Sequence, residues 1–193
     1  MSTVSTSDRK YHHGDLRRAL IEEGLRLISE GPADQLSLRE LARRVGVSAT
    51  AVYRHFPDKS ALMGALAAEG LARLAAAQHA AFEGAGGGIK GFAATGAAYV
   101  RFALANPALF RLIFQHPAPA DLMQGAHGSD AAMQFLLANA RIYAPAHMDP
   151  QVFALQAWSV AHGLAMLMLD GQVPADDAVV DAVIGAHLAQ KLG

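Results

Sequence analysis

Apolar residues recur at helical spacing along almost the whole chain. Leu16, Ala19, Leu20, Gly24, Leu27 and Ile28 form a first stripe that ends at Gly31-Pro32. A second, short helix follows Ser37, with Leu38, Leu41, Ala42 and Val45 on one face. Ser37-Leu-Arg-Glu40 has the pattern of a capping box, in which serine and glutamate satisfy each other's free amides. Gly46 ends that helix. Ser48 caps the next, which is expected to run to Phe56 before Pro57 stops it. Asp58 caps a long helix to about Glu83, and Gly84-Ala-Gly-Gly-Gly88 reads as a flexible linker. Further helices are expected over Phe92–Ala105, Pro107–Gln115, Ser129–Tyr143 and Asp149–Leu169, with a last one opened by Pro174. Residues 116–128 read as a loop, and residues 1–10 as a flexible arm. Period-two alternation is absent, so the expected class is all-α with about nine helices.

Composition narrows the function. The 193 residues are 52% apolar, which excludes general disorder, and the net charge of −1 excludes a polybasic coat. Charge is uneven, at +2 over residues 1–60 and −3 beyond, which suits a local polyanion site near the start. With no cysteine there is no disulfide, thiolate nucleophile or cysteine-based zinc site. The first ten residues hold no apolar core of a secretory signal. The most apolar stretch, Ala154 to Leu169, is broken by Gln156 and His162 and is short of the ~20 residues a bilayer needs. A soluble cytoplasmic protein is expected.

The most informative segment is Ser37 to Lys59. A small residue at Ala42, a turn glycine at Gly46 and an apolar Val52 let two short helices cross steeply, with Val47 tucking the turn onto the core. That is the steric recipe of a helix-turn-helix. The outer face of its second helix can then enter a major groove. Ser48, Ala49 and Thr50 are small or hydroxylic and can approach base edges. Tyr53 and His55 can donate to phosphates. Lys59 stands at a helix start, where the ammonium and the free amides can act on one phosphate. Arg39, Arg43, Arg44 and Arg54 add positive field, and Arg9-Lys10 on the arm could reach a minor groove. Each feature alone also fits a plain helical bundle or a solvated face; their coincidence is what carries the reading.

The stretch Tyr11 to about Leu66 closely resembles the DNA-binding domain of the TetR family of bacterial transcriptional regulators. Arg39-Glu40-Leu41-Ala42, Gly46-Val47-Ser48 and Val52-Tyr53-Arg54-His55-Phe56-Pro57-Asp58-Lys59 carry the likeness. It implies a helix-turn-helix at about 37–56, with Ser48 to Thr50 reading bases and Tyr53, His55 and Lys59 gripping phosphates. Ser37, Arg39, Val47 and Arg54 complete the candidate DNA-contacting set. Alanine at position 49 weakens any polar base contact there. Further on, Tyr99-Val-Arg-Phe102, Asn106 to Phe114 and Trp158-Ser-Val-Ala-His162-Gly163 resemble the TetR subgroup with a Trp…His-Gly signature. That implies a helical effector and dimerisation domain over 67–193, paired with a second copy through the helices at about 151–169 and 175–191.

Large apolar residues among many alanines make a pocket in that second half plausible. Phe92, Met123, Phe135 and Met168 belong to this group. The candidate effector-contacting set is Phe102, Phe110, Phe114, Met133, Trp158, His162 and Met166. His162 stays open between a hydrogen-bonded core residue, a pocket group and a catalytic or metal group. His79, His116, His127 and His147 lack helical metal spacing, and Asp176, Asp177 and Asp181 read as a capped, solvated face. No nucleophile–base pair, phosphate loop or metal-ligand spacing is present, so no enzyme, metal or cofactor is expected. The glycines at 84–88 do not make a dinucleotide loop, since a helix precedes them. The resulting expectation is a homodimeric repressor, released from a near-palindromic operator by a partly apolar small molecule. An activator, or an all-helical ligand-binding protein or enzyme that kept a DNA-binding head, are the alternatives.

Overall fold

Leu20, Ile28, Leu41, Val52, Leu62 and Leu66 are buried to 2% exposure or less, and the helices of the first part of the chain wrap around them. A computed structural model describes residues 13–31, 35–115 and 131–192, with side chains over 15–31, 35–115 and 131–186. The arm at 1–10, the 116–128 segment, Met123, His116, His127 and Ser129 lie outside the described residues. Among those described there are nine α-helices and no strand, so the all-α expectation holds. The chain divides into two compact units, Met1–Leu66 and Ala67–Gly193.

The first unit holds α1 (His13–Glu30), α2 (Leu38–Val45), α3 (Ala49–Tyr53) and the start of α4 (Lys59–Gly84). In α1 the buried face is Leu16, Leu20, Ile21, Leu25 and Ile28, with Leu27 left half-buried. Gly24 belongs there for space: a Cβ on it would stand 2.9 Å from a Leu66 methyl. Arg44 reaches from α2 to Glu30 of α1 at 2.8 Å.

The second unit is organised around α5 (Gly88–Ala105), which packs on α6 (Pro107–Gln115), α8 (Pro150–Leu169) and α9 (Asp177–Leu192); α7 (Ala131–Tyr143) packs on α8. Its core forms two clusters, one around Val100, Phe110, Ala165 and Val180, the other around Phe92, Ala140, Phe153 and Ala154. Asp149 caps α8, accepting the Gln151 N–H at 2.7 Å, with Pro150 in the first turn as its fixed φ favours. Between α5 and α6 the chain turns by 106° at Asn106, where the following proline disfavours helical angles.

Three boundaries differ from the sequence expectation. The helix after Ser48 ends at Tyr53 rather than Phe56. Its last amides fold into a tight turn, with the His55 and Phe56 N–H groups both donating to the Val52 carbonyl at 2.9 Å. Only Ala85 to Gly87 separate α4 from α5, so Gly84 and Gly88 are helical rather than linker. Gly91 has to be small, because a Cβ there would lie 2.8 Å from the Phe82 carbonyl oxygen. Pro174 does not open the last helix. Asp176 caps it, accepting the Ala178 N–H at 2.8 Å, and α9 starts at Asp177. The bounds of α8 match the expectation, but with its 20 residues it is not too short for a bilayer: α4, at 26 residues, and α8 are both long and apolar enough to cross one by length and composition. In the structure Phe153, Ala161, Leu164, Ala165 and Met168 of α8 are buried inside the unit instead.

Candidate nucleic-acid interface and ligand cavity

The crossing of α2 and α3 is built from local rules. Ser37 caps α2, its Oγ accepting the Glu40 N–H at 3.1 Å. The expected reciprocal half of that capping box does not form, because the Glu40 carboxylate is taken by Arg43 and Arg44. Gly46 closes α2 in the left-handed region, φ 77° and ψ 33°, where L-residues with a Cβ are strained. Its N–H and that of Val47 both donate to the Ala42 carbonyl at 3.0 Å. Ala42 and Val52 face inward, 3% and 0% exposed, and Val47 is half-buried beneath the turn.

That elbow leaves α3 with an outward face. Ser48, Thr50, Tyr53 and Arg54 are exposed; Ala49 and His55 are half-buried at its margin. Tyr53 is 45% exposed, which leaves its ring and hydroxyl open to solvent. The Ser48 oxygen already accepts the Ala51 N–H at 3.2 Å, which leaves its own proton free to donate outward. Asp58 caps α4 by accepting the Ala61 N–H at 2.8 Å, which sets half-buried Lys59 at the helix start. Ser37 and Arg39 are exposed on the α2 side.

The arginines do not act as one basic group. Arg43 is paired with Glu40, and Arg44 with Glu30 and Glu40. The hydrogen bond from Arg43 is the main reason that the Glu40 carboxyl is held down to about 2. The expected field from Arg43 and Arg44 is therefore largely neutralised. Arg39 and Arg54 have no ion pair among the described residues.

The second unit contains a partly open cavity; the atom-free space in it and at its solvent-filled mouth together is about 690 Å3. Phe114, Met133 and Trp158 of the expected set line it. So do Leu71, Leu74 and Gln78 of α4, Thr95 and Tyr99 of α5, and Ile184 of α9. Phe102, Phe110, His162 and Met166 are not on its wall. Phe110 is fully buried in the core, and Phe102 and Met166 pack against the same cluster. His162 lies one layer back, its Nδ1 2.8 Å from the Tyr99 hydroxyl. Its ring sits against Phe110 and Phe114, and burial lowers its pKa from the usual value, which favours neutral imidazole. Trp158 Nε1 donates to the same Tyr99 oxygen at 3.1 Å.

Models of two families match this chain. "Tetracyclin repressor-like, C-terminal domain" covers residues 92–190, and "Bacterial regulatory proteins, tetR family" covers residues 20–66. The chain belongs to the TetR family. That is a family of regulators, not enzymes. Among solved structures, this TetR-family chain is similar to a protein of unknown function from Rhodococcus sp. RHA1. The two are 33% identical, with TM-score 0.79, over 96% of this chain and all of that one. It also shares its fold with NalD, the secondary repressor of the MexAB-OprM multidrug efflux pump in Pseudomonas aeruginosa, at 17% identity and TM-score 0.61 over 94% of this chain and 98% of NalD. The class D tetracycline repressor of Escherichia coli is 40% identical over 57 residues, which is 30% of this chain and 26% of the repressor. The HTH-type transcriptional repressor Rv1474c of Mycobacterium tuberculosis is 37% identical over 65 residues, 34% of this chain and 35% of that protein. The chain thus spans about a quarter to a third of the length of these two curated relatives.

Three features of this TetR-family chain were not foreseen from its sequence. Gln78, Thr95 and Tyr99 are the polar groups of the cavity wall. A polar residue on the buried side of alanine-rich α4 was the one available signal. Arg101 joins α5 to α9, donating to Asp177 and Asp181 at 2.8 Å each. The acidic face of α9 is thus partly an ion-pair partner rather than simply solvated. Finally, α8 presents an outer strip with Val152, Leu155 and Leu167 each more than 40% exposed, and a Cβ on Gly163 would meet nothing within 4 Å.

Proposed function

We propose that this chain is a homodimeric, DNA-binding transcriptional repressor of the TetR family, released from a near-palindromic operator by a small-molecule effector. The observation that carries the DNA-binding half is the Gly46 elbow, which holds Thr50 and Tyr53 outward on a short helix. Thr50, with Ser48 and Ala49, is assigned to base edges. Tyr53, His55 and Lys59 are assigned to phosphates, and Ser37, Arg39, Val47 and Arg54 to the flanking backbone. The proposed domains are an arm over 1–10, a DNA-binding domain over 11–66 and an effector and dimerisation domain over 67–193. Repression is the activity printed for the curated relatives, and it is proposed here on that likeness.

The proposed dimer uses the outer faces of α8 and α9. Val152, Leu155, Ser159, Gly163 and Leu167 fall on one helical strip of α8. On α9, Val183 is exposed on one flank of buried Ile184, and Gly185 on the other flank has open space where a Cβ would be. Glycines with nothing above them inside the chain suit close approach by a partner helix. A two-fold dimer then sets two copies of α3 in successive major grooves, roughly 34–36 Å apart.

Helix α4 carries Lys59 near its start and Leu71, Leu74 and Gln78 on the cavity wall, and it is the proposed lever between effector and DNA. A coupling of ~1–3 kcal/mol would change operator affinity some 5–150-fold. The protein would act in the cytoplasm, on the nucleoid when bound. A gel shift on DNA flanking its own gene, with and without candidate small molecules, tests the whole reading. A retarded complex that disappears on adding one compound supports it. Failure to prefer any flanking sequence over random duplex would overturn it, and a reporter that falls when the gene is deleted would make it an activator instead.

A further inference from the structure

We propose that the Gln78 amide is a ligand-recognition group, whose oxygen receives a hydrogen bond from an uncharged, flat, largely apolar molecule bearing one N–H or O–H donor. This rests on the effector-cavity reading above and names the chemistry the cavity selects.

Gln78 is 9% exposed and forms part of the cavity wall. Its Nε2 donates to the Thr95 carbonyl at 3.4 Å. That bond sets which end of the amide faces Thr95, since the flipped amide would set two oxygens against each other. Oε1 is then buried with no hydrogen-bond partner among the described residues. Native proteins rarely keep an unsatisfied buried acceptor without a use for it.

The neighbouring polar groups of the wall are committed elsewhere. The Thr95 hydroxyl donates to the Phe92 carbonyl at 2.7 Å. The Tyr99 hydroxyl is held between Trp158 Nε1 and His162 Nδ1. Oε1 is shielded in the free protein, so a ligand that reaches it must shift the whole Gln78 side chain and give up the long 3.4 Å bond to the Thr95 carbonyl. The rest of the wall fixes the kind of molecule. Phe92, Tyr99, Phe114 and Trp158 offer aromatic faces, and no lining residue carries a charge. A charged ligand would be desolvated there without a counter-ion, whereas a flat neutral one gains ring contacts.

Trp158 is the chain's only tryptophan and lines the cavity, so its fluorescence reports occupancy. The probes are para-butylphenol and its methyl ether, para-butylanisole, which differ by one donor. Both are titrated into full-length protein and into Gln78→Leu, whose side chain has similar volume. The wild type is expected to prefer the phenol by roughly tenfold, the value of one well-made hydrogen bond in a buried site. The variant is expected to bind both probes without that preference. Free Gln78→Leu should melt close to the wild type, because relief of the buried unpartnered oxygen offsets loss of the long 3.4 Å bond to Thr95. An equal phenol preference in both proteins, or a clear drop in the variant's melting temperature, would overturn the assignment while leaving the cavity a ligand site. If neither probe changes Trp158 fluorescence in the wild type, the effector-cavity reading fails and takes this one with it.

Discussion

The Tyr99 hydroxyl stands 2.8 Å from His162 Nδ1, and the two residues are 63 positions apart in the chain. An indole N–H can only donate, so Tyr99 oxygen accepts from Trp158. The arrangement that satisfies all three groups has the Tyr99 proton pointing at a neutral His162. The aromatic cluster around it, Phe110 and Phe114 included, explains why histidine rather than a charged residue suits this place.

This arrangement makes stability depend on pH. Burial lowers the His162 pKa below its ordinary value of 6.5. The unfolded chain then takes up a proton first as the solution is acidified, so His162 costs nothing above that value and destabilises the fold as pH falls through it. In thermal melts across that range, His162→Gln should lose less stability on acidification than the wild type. Parallel curves for the two proteins would mean that His162 titrates as freely in the fold as out of it.

Two glycines should respond in opposite ways to an added methyl group. Gly91→Ala forces a Cβ to 2.8 Å from the Phe82 carbonyl, and overpacking against rigid backbone typically costs about 1–3 kcal/mol. Gly163→Ala meets open space, and replacing glycine inside a helix favours the fold by about 0.5–1 kcal/mol. Gly163→Leu should nevertheless weaken the proposed dimer at least about tenfold, or about 1.4 kcal/mol. Sedimentation measures the effect on the dimer, and chemical denaturation the effects on stability. A Gly163→Leu protein that sediments like the wild type would remove α8 from the interface.

Lys59→Ala should reduce DNA affinity to a similar degree on every sequence. Its salt slope should fall by about 0.9 for each phosphate that the lysine no longer neutralises. Substituting Thr50 should leave the slope alone and alter base preference. Binding measured against salt on operator and on random duplex separates the two. An unchanged slope for Lys59→Ala removes that residue from the set that grips the DNA backbone.

Glu40→Gln is expected to raise non-specific DNA affinity, because Arg43 loses its partner beside the α2–α3 elbow. The same change should remove part of the acid limb of stability. The Glu40 carboxyl is held down to about 2, so its contribution is present above its ordinary 4.5 and is lost as pH falls toward 2. Titration of a random duplex and melts at low pH are the measurements. If non-specific affinity is unchanged, Arg43 points away from the nucleic acid.

The helix-turn-helix was legible in the sequence because its causes are local. Ser37, Ser48, Asp58 and Asp149 each cap a helix through amides two or three residues ahead, and Gly46 needs only its own φ. A spacing of three along the chain is already a neighbour in space. The lengths of α3 and the start of α5 were less legible, since they depend on what lies opposite. Phe56 turns inward to a buried site, and residue 91 has to be glycine because the Phe82 carbonyl passes beside it.

What the amino-acid order determined alone was the class of elements, their caps and the steep crossing of two of them. Which faces meet was decided only by packing: Gln78 beside Thr95, Tyr99 beside His162, Arg101 on Asp177 and Asp181. Large apolar side chains look alike in one dimension, so Phe110 in the core and Phe114 on the cavity wall were indistinguishable before the helices were placed. Close packing assigns each to its role, because a side chain can line a cavity only where the facing helix leaves room.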